Sequence, residues 1–217
     1  MEHLAHEGAC ESARENLLFA DVYIARLPQD APIGELACKA RAEEIRALSN
    51  EAAKREKYFA FRLLYHAFLQ SFGIKEAEVP LKKESCGTWS AGKYFLSISH
   101  SKNALAVAVS CAPVGVDIER VSTPRAEEMA RRFLTKRELA LFEAAEQSKR
   151  EEVWIKLWTA KEAAFKAKHK PHFVPNETDS TLENVYTETL SLGGELYAWS
   201  VAAEKGAKVR IFSDIAL

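Results

Sequence analysis

Strand, helices, strands: the patterned segments of this chain run in that order to Ala112-Pro113, and then in the same order again. FADVYIARL, from Phe19 to Leu27, is rich in β-branched and aromatic residues and stops before Pro28, which marks a strand. Helical patterns follow near 35–48 and from Asn50, a suitable N-cap, to Phe72, with Gly73 as the stop. Strand patterns then fall near 88–89, 94–99 and 104–110, the last two flanking a polar turn, His100-Ser101-Lys102-Asn103. Beyond Pro113 the order resumes with VGVDIERV, a helix opened by Pro124, and a helix capped by Thr135 with Glu138 three residues on. A long helix over about 150–168 and strands near 185–192, 195–202 and 208–212 complete it. The expected fold is α+β: two similar half-domains, 17–112 and 113–217, packed around a shared cleft. Residues 1–16 read as a flexible leader.

Charge narrows the partners. Thirty basic against thirty-one acidic side chains leave a formal charge of -1, without the basic excess of a dedicated nucleic-acid binder. The four cysteines, Cys10, Cys38, Cys86 and Cys111, have neither C-x-x-C pairing nor zinc-site spacing and read as reduced thiols of a cytoplasmic protein. The polar N-terminus has no apolar signal region, and no apolar run approaches the roughly 20 residues of a membrane helix.

Three clusters could carry chemistry. In Val116-Asp117-Ile118-Glu119, strand alternation sets Asp117 and Glu119 on one face, where they repel unless a positive group lies between them. Mg²⁺, a hard cation bound by carboxylates and phosphate oxygens, meets that need; a solvated edge strand gives the same pattern. In EEVWIKLWTAKEAAFKAK, about 100° per residue puts Trp154, Trp158 and Phe165 on one stripe, with Lys161 inside it. Glu162 and Lys166 flank that stripe as an i,i+4 pair, which is either routine helix support or a carboxylate set among lysines for a metal-phosphate complex. A snorkelling stem accounts for Lys161 less well. In Ser97-Ile98-Ser99-His100-Ser101, a histidine among hydroxyls can bind phosphate, ligate a metal, act as a base or simply shape a turn. There is no G-x-S-x-G elbow and no Gly-rich phosphate loop.

Taken in order, S-x-S-H-S, VGVDIE sixteen to twenty residues on and W-T-A-K-E-A-A-F-K about forty further closely resemble one family, the 4′-phosphopantetheinyl transferases. Within that family, the chain is most similar to the larger class that activates surfactin synthetase. KREKYFAFRLLYHAF and RRFLTKREL match that class too, so the resemblance spans roughly residues 50–168. It departs from the family where Lys82-Lys83-Glu84 replaces a Gly-Lys-Pro element and Lys168-His169-Lys170-Pro171 replaces a Gly-x-Gly-Leu turn.

The resemblance implies two halves with pseudo-twofold symmetry and coenzyme A bound between them. It implies Mg²⁺-dependent transfer of the phosphopantetheine arm to a serine of an apo acyl or peptidyl carrier protein, releasing adenosine 3′,5′-bisphosphate. By motif, Asp117, Glu119 and Glu162 would hold Mg²⁺, and Lys161 and Lys166 would bind phosphate oxygens beside the catalytic Glu162. Ser99, His100 and Arg55 or Arg62 would contact the nucleotide phosphates. The expected state is a monomer acting without nucleic acid or membrane. The basic run Arg131, Arg132, Lys136 and Arg137 would either steer an acidic carrier or end a solvated helix. A non-catalytic coenzyme A-binding module of the same fold is the main alternative, and an unrelated Mg²⁺ phosphohydrolase is the third.

Overall fold

A computed structural model describes residues 18–85, 87–122, 125–168 and 172–217. The leader expected over 1–16, the helix opener Pro124, and Cys10 and Cys86 lie outside them. Along the chain come β1 (Phe19–Arg26), α1 (Lys39–Ala47), α2 (Glu51–Phe72), β2 (Lys82–Lys83), β3 (Trp89–Ser90), β4 (Phe95–Ser101) and β5 (Ala104–Ser110). They are followed by β6 (Val114–Arg120), α3 (Ala126–Phe133), α4 (Lys136–Ala144), α5 (Arg150–Ala167), β7 (Val185–Leu192), β8 (Glu195–Ala203) and β9 (Lys208–Phe212).

Local signals set most boundaries. The Asn50 side chain accepts from Ala53 N to start α2, and Gly73 ends it in the left-handed region at φ 72°. Thr135 and Glu138 form the expected capping box of α4. Strand β2 forms where no strand is expected from the sequence, and two further segments differ from the sequence reading. The helix expected from Glu35 begins at Lys39, because Ala37 N donates to Glu76 Oε1 and Cys38 N to the Tyr65 hydroxyl. Those tertiary bonds satisfy the N–H groups before the helix starts. His100 and Ser101 belong to β4 rather than to the turn, paired with Leu105 and Ala104, and the turn shrinks to Lys102-Asn103.

The strands form two sheets of order β4-β5-β1-β9 and β6-β8-β7, beside a two-strand ribbon, β2-β3. Alternation sorts their side chains into layers. Tyr23 and Ala25 of β1 and Leu105, Val107 and Val109 of β5 face α2, where Phe61, Leu63, Leu64 and Phe68 are fully buried. Burial of such a side chain contributes about 1.5–3 kcal/mol. Val22, Ile24, Ala106 and Ala108 face the other way, against Val116 and Ile118 of β6 and Trp199 and Val201 of β8. The sheets therefore pack on each other through apolar faces, with α2 on one outer side and α5 on the other.

The last strand closes the first sheet. β9 runs parallel to β1. Arg210 grips the fully buried Asp21 with two hydrogen bonds, and Ser71 Oγ donates to Asp21 Oδ2 at 2.6 Å. Phe212 stacks on Tyr23 at 4.7 Å between ring centroids. Among the described residues no helix is long and apolar enough to cross a membrane.

Candidate functional site

Glycine at one position lets the candidate catalytic helix meet its strand. A Cβ on Gly115 would stand 2.0 Å from Ala163 O and 2.5 Å from Ala167 N, so α5 lies directly on β6 only because this residue has no side chain. Thr159 Oγ1 and Ser200 Oγ, 2.7 Å apart, tie the same helix to β8. By the period of the strand, Gly115, Asp117 and Glu119 share the face beneath α5, and Glu162 and Lys166 are the helix residues that meet it.

Lys166 Nζ donates to Asp117 Oδ1 at 2.7 Å and to Val116 O at 3.2 Å, and lies 3.6 Å from Glu162 Oε2. Asp117 is 1% exposed, and its second oxygen, Oδ2, is buried without a hydrogen-bond partner. Burial, and then the Asp117 charge, pushes the Glu162 carboxyl up to about 7, with Lys166 opposing and Glu119 adding. Glu119 is raised by burial in the first place and also by Asp117. Among the described residues, three acidic groups thus gather around a single ammonium, and one Asp117 oxygen is left unsatisfied. Among the described residues, no three His, Cys, Asp or Glu side chains stand close enough to hold a metal ion as they are. The donor chemistry nevertheless fits a hard cation, since the pocket carries excess negative charge and a bare carboxylate oxygen.

Serines connect this pocket to the first sheet. β4 and β6 are the edges of their two sheets and run side by side without a backbone ladder between them. Ser97, Ser99 and Ser101 accept instead from the N–H groups of Val116, Ile118 and Arg120, at 3.0, 3.4 and 3.3 Å. Ser99 Oγ also donates to Asp117 Oδ1 at 2.7 Å, and Ser101 Oγ to Glu119 Oε2 at 2.6 Å.

The remaining expected site residues lie elsewhere. Alternation sets His100 on the face opposite Ser99, where its Nδ1 pairs with Glu56 of α2. Arg55 donates to the carbonyls of Pro28 and Ala31, and Arg62 pairs with Glu76 at 2.6 Å. Lys161 is not brought to the pocket. It is fully buried 2.6 Å from Glu138 Oε2 and also donates to the carbonyls of Pro175 and Thr178. Residues missed in the sequence are Ser101, Glu56 and the role of Glu138. The S-x-S-x-S alternation could have placed Ser101 with Ser99; nothing local points to Glu56.

Comparison with known proteins bears on what such a pocket does. A family model described as the 4′-phosphopantetheinyl transferase superfamily matches residues 113–210. Another, for the 4′-phosphopantetheinyl transferase N-terminal domain, matches residues 43–110. The 4′-phosphopantetheinyl transferase HetI of Nostoc sp. (strain PCC 7120) is 28% identical over 166 residues, 70% of this chain and 70% of that protein. The 4′-phosphopantetheinyl transferase gsp of Aneurinibacillus migulanus is 34% identical over 79 residues, 36% of this chain and 33% of that protein.

Proposed function

The chain belongs to the 4′-phosphopantetheinyl transferase superfamily, and from that premise we propose that it moves the phosphopantetheine arm of coenzyme A onto a serine of an apo acyl or peptidyl carrier protein. The proposal includes Mg²⁺ dependence, adenosine 3′,5′-bisphosphate as the other product, and membership of the surfactin-synthetase-activating class. The observation that carries it is the pocket of Asp117, Glu119, Glu162 and Lys166, with Asp117 Oδ2 bare. Tandem matches to the N-terminal and superfamily models support a site served by two halves, 17–112 and 113–217. A helix on the outer face of each sheet supports a pseudo-twofold relation, although β9 of the second half completes the sheet of the first.

In this reading Asp117, Glu119 and Glu162 hold Mg²⁺, which when bound supplies positive charge against the coenzyme A pyrophosphate. The carrier serine oxygen bonds to the β-phosphorus, and the bond from that phosphorus to the bridging oxygen breaks. The leaving nucleotide keeps that oxygen and its electron pair. Lys166 offers N–H donors to the phosphate oxygens on which charge accumulates. Glu162 takes the serine proton, directly or through an intervening water. Lys161, buried against Glu138, anchors α5, the helix that carries Glu162, rather than touching phosphate.

Mass spectrometry tests the proposal. With coenzyme A and Mg²⁺, an apo carrier protein gains about 340 Da, the arm added by this type of phosphoryl transfer. No gain on fatty-acid, polyketide or peptide carriers overturns it. Glu162→Gln abolishes the gain while the chain stays folded.

A further inference from the structure

The serine seam between β4 and β6 does two things at once. Each hydroxyl satisfies an edge N–H of β6 that no strand pairs, and such unpaired buried groups are costly. A hydroxyl has one proton to give and can accept at the same time. Among the described residues Ser97 donates to no carboxylate, whereas Ser99 gives its proton to Asp117 and Ser101 gives its proton to Glu119. The spacing is imposed by geometry. Both strands advance two residues per pleat, so serines at 97, 99 and 101 meet N–H groups at 116, 118 and 120 in step. The carboxylates at 117 and 119 then fall within reach of the last two serines.

We propose that Ser99 and Ser101 are positioning residues for the acidic pocket: they fix the orientation of Asp117 and Glu119 toward a divalent cation from the opposite half of the fold. This assigns the Ser99 hydroxyl to a carboxylate rather than to a nucleotide phosphate. It also makes the pocket depend on contact between the sheets, so a site built on β6 and α5 is held in shape by β4. The inference rests on the transferase reading.

Ser97→Ala, Ser99→Ala, Ser101→Ala and Ser101→Thr, made in the full chain, test it by two readouts. One is the Mg²⁺ concentration giving half-maximal transfer; the other, independent of activity, is the rise in Tm that Mg²⁺ produces without coenzyme A. Groups that orient metal ligands typically affect metal affinity by 10–100-fold, so S99A and S101A should raise the Mg²⁺ requirement about tenfold and shrink the Tm rise. S101T, which keeps the hydroxyl, restores both. S97A lowers Tm through the seam but leaves the Mg²⁺ requirement as it was. KM for coenzyme A stays unchanged throughout. If S99A and S101A match S97A, or if S99A raises KM for coenzyme A without changing the Mg²⁺ requirement, the inference is overturned while the transferase reading stands. If the unsubstituted chain neither transfers nor melts higher with Mg²⁺, both fall.

Discussion

Lys161 and Glu138 form an ion pair 2.6 Å long in which neither side chain is exposed. Each is fully satisfied. Glu138 Oε2 also accepts from Thr135 N and Oγ1, its Oε1 accepts from Ser180 N and Oγ, and Lys161 donates to two carbonyls of the 175–178 segment. One buried pair therefore joins α4, α5 and the turns that follow α5. An ammonium group on the apolar stripe of a helix is explained by a partner from another helix.

Removing one member leaves a buried charge alone. Lys161→Met should cost about 3–5 kcal/mol in urea unfolding, and the double variant with Glu138→Leu less than either single change. Under conditions where K161M is folded, its KM for coenzyme A should equal that of the parent chain. A normal stability combined with a raised KM would return Lys161 to the phosphate site.

Gly115→Ala tests the helix–strand approach. Its Cβ would meet backbone atoms, which cannot rotate away, so α5 must lift from β6. Overpacking of this kind costs about 1–3 kcal/mol, with transfer falling further because Glu162 and Lys166 move off Asp117. Unaltered kcat/KM in G115A would show that the approach is not needed.

Glu162 makes stability depend on pH in a defined direction. Its carboxyl sits at about 7 in the folded chain against an ordinary 4.5, so between those values the folded state holds a proton that the unfolded state has lost. The stability this gives is present below 4.5 and lost as pH rises through about 7. In chelator, the parent chain should lose stability between pH 5 and 8, and Glu162→Gln, which cannot ionise, should lose less. Equal slopes for the two proteins would contradict the assignment.

Much of this was legible in sequence, and the reasons differ by element. Period and caps gave α2, α4 and α5, because Asn50, Gly73 and Thr135-Glu138 act locally. The acidic face of β6 followed from alternation alone. What could not be read was anything carried by tertiary contact: α1 starting at Lys39, Lys161 turning inward to Glu138, and His100 and Ser99 parting to opposite faces once β4 ran through them. The motif named Asp117, Glu119, Glu162 and Lys166, which the fold brings near one another, but could not say which neighbours each would face.

Arg210→Met should be costly although Arg210 is only half-buried, since among the described residues Asp21 would keep only the Ser71 hydroxyl for its buried charge. A loss of about 3 kcal/mol is expected, read by denaturant unfolding. A change within about 0.5 kcal/mol, the range of ordinary surface substitutions, would show that Asp21 is sustained in another way.

Asp21 and Arg210 are 189 residues apart, and the parallel pairing of β9 with β1 spans that whole distance. During synthesis, β1 and its neighbours emerge first, yet one flank of β1 has no partner until residues 208–212 leave the ribosome. Vectorial completion of the first half is therefore denied. An open strand edge of that kind invites pairing with other nascent chains while it waits. A chain cut short before residue 208 would keep that bare edge, and its buried Asp21 would lack the Arg210 guanidinium.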